Sequence, residues 1–201
     1  MKLGKQKIIS IIALLIATAI AVIFLLPKLS PVNDQEGRVS QDGVLGGSIA
    51  ISNDGGKIYE DTDYGFSFFY PENFSIGAFA DEEGTKTILV QNAEKNTGVQ
   101  IFISAFDENI TLTPERIKKD VPDIAMSDVK SISVGQEQRS DLGVPALRSD
   151  LDANAVSFNS NNSTGQSREV WFVYKSNLYQ ISAPIAASGI LDTIITIWHF
   201  N

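Results

Sequence analysis

The chain has no cysteine and only one histidine, two methionines and two tryptophans among its 201 residues. Without cysteine there is no disulfide, no thiolate nucleophile and no cysteine-held zinc or iron–sulfur site. An exported domain of this composition must rely on its apolar core. With His199 as the lone histidine, any Ser-His-Asp relay has to use it, and a multi-histidine metal site is excluded. It lies in an aromatic C-terminal tail, where it reads as a structural or solvent-edge residue. No Gly-x-Ser-x-Gly elbow occurs. No glycine-rich loop with a lysine opens a helix, as phosphate binding would need. Basic residues are also few, 16 against 24 acids, for a net charge of −8. Lys2, Lys5, Lys7 and Lys28 are four of the 16, and every acid lies beyond Lys28. That acidic remainder repels phosphate backbones, so nucleic acid is not an expected partner.

What the chain does have is one long apolar run. Ile8 to Leu26 is interrupted only by Ser10 and Thr18 and is closed by Pro27. At about 1.5 Å per residue it spans roughly 28 Å, close to the ~30 Å hydrocarbon core of a bilayer. A transmembrane helix is expected over 8–27, with the membrane as the partner of residues 8–26. The lysines before the run keep residues 1–7 cytoplasmic and send the rest of the chain across. A cleaved signal peptide is the rival reading, with small-residue sites at Ala17-Thr18-Ala19 and Ala19-Ile20-Ala21. Cutting there would leave the apolar Val22–Leu26 as a new terminus, so an uncleaved anchor is preferred.

Residues 28–57 read as a flexible tether, rich in Gly, Ser, Asn, Asp and Gln. Within it, Ser48 to Ser52 alternates and suits a short edge strand. The globular domain is expected over 58–201. Strands are predicted at Tyr64–Pro71, Thr87–Gln91, Gly98–Phe106, Val129–Gln138, Val144–Leu151, Glu169–Tyr174 and Leu178–Ala183, with a short extended piece at Phe74–Ile76. Lys175-Ser176-Asn177 reads as a hairpin turn with Asn177 at positive φ. Asn159 to Gly165 reads as a loop. Thr113 and Pro114 start a helix that Pro122 ends near Val121. Ser188 caps a second helix with a stripe of Ile190, Leu191, Ile194 and Ile195. Ile197 with Trp198 or Phe200 is expected to be buried beyond it. The sum is an α+β fold, an antiparallel sheet flanked by helices.

The order of elements resembles PsbP-like domains. The strand Tyr64-Gly65-Phe66-Ser67-Phe68-Phe69-Tyr70-Pro71 is similar to the family's opening Tyr-Gly-Phe strand running into a Tyr-Pro turn. The hairpin from Trp171 to Ala183, followed by Ser188 to Phe200, is similar to its closing helix and aromatic strand. The resemblance covers roughly 58–201 and implies an α/β/α sandwich. Its members include an extrinsic photosystem II subunit, a nuclear-import factor that binds a small GTPase, and exported mycobacterial lipoproteins. Together they imply an accessory or binding domain without shared catalytic residues. The N-terminal helix and acidic tether depart from the photosystem members.

No catalytic, cofactor or metal residues are assigned from the sequence. Asp61-Thr62-Asp63-Tyr64-Gly65 places acids at alternate positions, as calcium ligation does, with Glu72 at the twelfth place. The glycine falls one place early, and an acidic lead-in to a strand is preferred. The expected function is a membrane-anchored extracytoplasmic accessory domain, not an enzyme, with a protein partner at the cell surface. The alternative is a small-ligand or lipid-binding domain whose apolar cleft is lined by Phe66, Phe68, Phe102, Phe106, Trp171 and Tyr179. A hydrolase using paired carboxylates is a third reading, requiring two acids to converge in a cleft.

Overall fold

Alternation along a strand sorts its side chains between two faces. Phe66, Phe68 and Tyr70 are buried, while Ser67, Phe69 and Pro71 between them are half-buried. The computed structural model describes residues 47–52, 56–81, 84–135, 152–162 and 165–201. The anchor at 8–27, the stub 1–7, most of the 28–57 tether and the extended reading at 144–151 lie outside the described residues. Among those described, no helix is long and apolar enough to cross a membrane.

The described chain is mostly antiparallel β-sheet. One sheet joins β1 (Gly47–Ser52), β2 (Gly56–Asp61), β3 (Phe66–Pro71) and β11 (His199–Phe200), in that order. The strand suggested at 48–52 is β1, so the sheet reaches back to Gly47, inside the segment read as tether. The larger sheet uses β4 (Ser75–Ala80), β5 (Lys86–Asn92), β6 (Thr97–Ala105), β7 (Met126–Val134), β8 (Ala153–Asn162), β9 (Gly165–Tyr174) and β10 (Asn177–Pro184). Its order is β4-β5-β6-β10-β9-β8-β7. Helix α1 (Pro114–Asp120) lies between β6 and β7, and α2 (Ser188–Thr196) lies between β10 and β11.

One face of the large sheet packs on the small sheet and α2. Ile88, Ile101, Phe172, Tyr179 and Ile181 meet Tyr59, Phe66, Phe68, Leu191, Ile194, Trp198 and Phe200 there. Trp198 stacks on Phe66 with ring centroids 4.5 Å apart, and Phe172 stacks on Tyr179 at 4.7 Å. Such pairs contribute about 0.5–1.5 kcal/mol each beyond their burial. The other face is partly covered by residues 106–124. Phe106, Leu112 and Ile117 pack there on Val156, Phe158, Trp171, Val173 and Leu178. Thr113 Oγ1 accepts from the Arg116 N–H at 3.2 Å, and the Val121 N–H donates to the Ile117 carbonyl at 2.8 Å. The helix therefore starts and stops where Thr113-Pro114 and Pro122 dictate. Arg116 pins it to the preceding loop by donating to Glu108 at 2.6 and 3.1 Å, and within the helix it donates to Asp120 at 2.5 Å.

Several expectations are corrected. The described strands number eleven, and a whole second sheet, not helices alone, covers one face of the first. Residues 159–162 are not the start of a loop: β8 runs to Asn162 and β9 starts at Gly165, because ladder pairing continues through Asn161↔Gln166 and Asn162↔Gly165 despite polar side chains. In the β9–β10 hairpin, Lys175 and Ser176 take φ of 45° and 59°, the two-residue turn that matches strand twist, and Asn177 is already in the strand. Ser188 is not a cap but the first residue of α2. A 3₁₀ turn, Ile185–Ala187, leads into it, with no side-chain cap bond. Ile197 is 52% exposed, because the chain turns there so that Trp198 and Phe200 enter the core.

Candidate functional site

The six aromatics grouped by sequence as cleft lining divide between the two faces. Phe66, Phe68 and Tyr179 belong to the core between the sheets, whereas Phe106 and Trp171 belong to the cluster beneath α1. Phe102 alternates with Ile101 and Ile103 and so takes the second face. No one cleft is lined by all six.

The second face has an unexpected centre. Strand register places Gln100 opposite Ser182, Ser182 opposite Glu169, and Glu169 opposite Phe158. The adjacent row runs Phe102, Gln180, Trp171, Val156, and Ser104 stands opposite Leu178 in the next. These polar side chains are buried: Gln100 is 3% exposed, Gln180 4%, Glu169 5% and Ser104 6%. Glu169 is bonded within the protein. Ser160 donates to its Oε1 at 2.9 Å and Trp171 Nε1 donates to its Oε2 at 3.2 Å. Burial nevertheless pushes its carboxyl up from 4.5 to about 7, against those two bonds, which favour the charged form. By contrast, among the described residues Gln100 Nε2 and Oε1, Gln180 Oε1 and Ser104 Oγ have no hydrogen-bond partner. Buried polar groups are normally paired, and each one left unmade costs about 1–3 kcal/mol.

Sequence reasoning passed over these residues. Val99-Gln100-Ile101-Phe102-Ile103-Ser104 and Leu178-Tyr179-Gln180-Ile181-Ser182 each alternate, which ordinarily marks a strand with one solvated face. The available signal was that both strands carry glutamine and serine on the same parity. Only the sheet order makes them neighbours and buries them.

A second buried polar cluster lies on the opposite face. Lys86 Nζ is 2.5 Å from Asp61 Oδ2, and the two side chains are 2% and 0% exposed. Tyr59 donates its hydroxyl to Asp61 at 3.0 Å and the Tyr64 N–H donates at 3.2 Å. The ammonium also lies 5.5 Å from the Tyr64 ring centroid. Burial first, then the Asp61 charge, raises the Tyr59 hydroxyl. Asp61 ends β2 and Lys86 begins β5, so this pair ties the small sheet to the large one. The Lys86 ammonium occupies the place a cation would take beside Asp61. Asp63 is 58% exposed and sits 3.9 Å from Lys86. His199 is exposed on β11, opposite Ser67. Among the described residues no group of three or more His, Asp or Glu side chains is gathered as a metal site would require.

Comparison of the chain with protein-family models and with curated proteins found no match to either.

Proposed function

We propose that this chain is a non-catalytic binding domain, held outside the cytoplasm by its N-terminal apolar segment and built as a β-rich variant of a PsbP-like domain. Its ligand is a small polar molecule seated on the face of the large sheet that carries Gln100, Gln180 and Glu169. The observation that carries this reading is the hydrogen-bonding capacity of Gln100, Gln180 and Ser104 that stays unused among the described residues, in buried positions. Polar side chains of this kind fix a ligand's orientation in small-molecule sites. The chemistry is polar, unlike the apolar cleft expected from the aromatics. Glu169 is the one ionisable side chain at the paired positions of this face from β5 to β8.

The test compares the full-length protein in detergent with a Gln100→Leu/Gln180→Leu variant, in thermal unfolding and in a screen of polar small molecules. The variant is expected to unfold at an equal or higher temperature, because unmade buried polar groups are replaced by apolar ones. It is also expected to lose the stabilisation that a ligand confers on the wild type. A drop of several degrees without ligand would assign the glutamines to the fold instead.

Phe79 favours a second reading, an accessory domain that docks a protein. It is 52% exposed on the outer strand β4. A Phe79→Ser variant that retains every crosslinked partner of the wild type would count against this surface.

A further inference from the structure

We infer that the molecule held on this face is an uncharged compound rich in hydroxyl groups. The inference rests on the binding reading above and names its ligand class. On this face, among the described residues, the unpartnered atoms are both polar atoms of the Gln100 carboxamide, the Gln180 carboxamide oxygen and the Ser104 hydroxyl. Gln100 presents both a donor and an acceptor, Gln180 an acceptor, and Ser104 either. The complement of such a set is a group that both donates and accepts, and a hydroxyl does so within one atom.

The charge pattern points the same way. At the paired positions of this face, from β5 to β8, there is no lysine, arginine or histidine. Lys86 stands opposite Ile103 and Arg168 opposite Ala183, so both take the other face. A phosphate or carboxylate brought here would be desolvated without a counter-charge from the sheet, at a cost of several kcal/mol, and Arg116 of α1, over the Phe106 ring, is already paired with Glu108 and Asp120. A cation would need a free carboxylate, and both Glu169 oxygens already accept a bond, from Ser160 and Trp171.

One ring completes the set. Phe102 is 8% exposed, yet it belongs to neither of the packed apolar clusters. It lies in register with Gln180 and between Gln100 and Ser104 along β6. An apolar ring face flanked by amides suits a ligand with C–H surface on one side and hydroxyls at its rim.

The experiment is calorimetric titration of the full-length protein in detergent with three matched probes: glucose, glucosamine and glucose 6-phosphate. Each is also titrated into Gln100→Leu/Gln180→Leu and into Ser104→Ala, whose small change keeps the fold testable. Glucose is expected to bind at least tenfold more tightly than either charged analogue, and to weaken at least tenfold in the double variant. Preference for a charged probe, still lost in the double variant, would overturn the ligand class and keep the binding face. Failure of all three, with another small molecule bound in a glutamine-dependent way, would do the same. Binding that neither variant alters would overturn the binding face itself.

Discussion

Glu169 makes the stability of this domain depend on pH in an unusual direction. Its carboxyl is buried between Ser160 and Trp171 and is raised from 4.5 to about 7. Below 4.5 the group is protonated in both the folded and the unfolded chain and contributes nothing. Between 4.5 and about 7 the unfolded chain is ionised while the folded chain keeps its proton. The folded state then binds more protons than the unfolded one, so stability falls as pH rises through this window. At about 1.4 kcal/mol per pH unit the whole window amounts to roughly 3 kcal/mol. A Glu169→Gln variant keeps the shape and cannot ionise, so its stability should not fall over the same range. The assay is urea unfolding from pH 4.5 to 8, followed by the fluorescence of Trp171 and Trp198, the only tryptophans in the chain. Trp171 donates to the titrating group itself. The quantity of interest is the difference between wild type and variant, in which other titrating groups cancel. A difference that stays constant with pH, or grows in the opposite sense, would refute the burial argument for Glu169.

Three further outcomes are expected. Lys86→Met strands the Asp61 carboxylate at 0% exposure and should destabilise the fold by about 3–5 kcal/mol; adding Asp61→Asn should recover part of that loss in the same urea titration, and a single-variant loss under ~1 kcal/mol would show the pair to be dispensable. Ser176→Gly relieves a side chain held at φ 59° and should raise stability by about 1 kcal/mol, read as a higher urea midpoint. Gly98→Ala brings a Cβ to 2.4 Å from the Val90 carbonyl oxygen, forcing β5 and β6 apart. A loss of about 1–3 kcal/mol should follow, and unchanged unfolding would mean the hairpin yields freely.

Much of the fold was legible because local periodicity and punctuation are short-range effects. Phe66, Phe68 and Tyr70 alternate in the chain and are buried together in the structure. Thr113-Pro114 and Pro122 bracket a helix whose bounds follow from donors and ring sterics. The hairpins at 93–96 and 175–176 stand between strands that pattern alone could place. What misled the reading was polarity taken as a sign of loop. The end of β8, Asn159 to Asn162, is polar in every residue and is nonetheless paired strand, since ladder bonds are made by backbone and ask nothing of side-chain polarity. Strand β8 also holds Ala153, Ala155 and Ser157, small residues with weak strand preference, buried against larger neighbours.

The amino-acid sequence by itself settles the chemistry this protein lacks, the acidic balance of its charges and the faces that each strand presents, because composition and period-two alternation are properties of the chain. Which strands become neighbours is decided by long-range pairing, which no local pattern encodes. The order β6-β10-β9-β8 sets Gln100, Gln180, Ser104 and Glu169 side by side on one face. Burial of these side chains follows from that pairing and the packing above it, and it is this packing that sets the proposed site apart from ordinary polar strand residues.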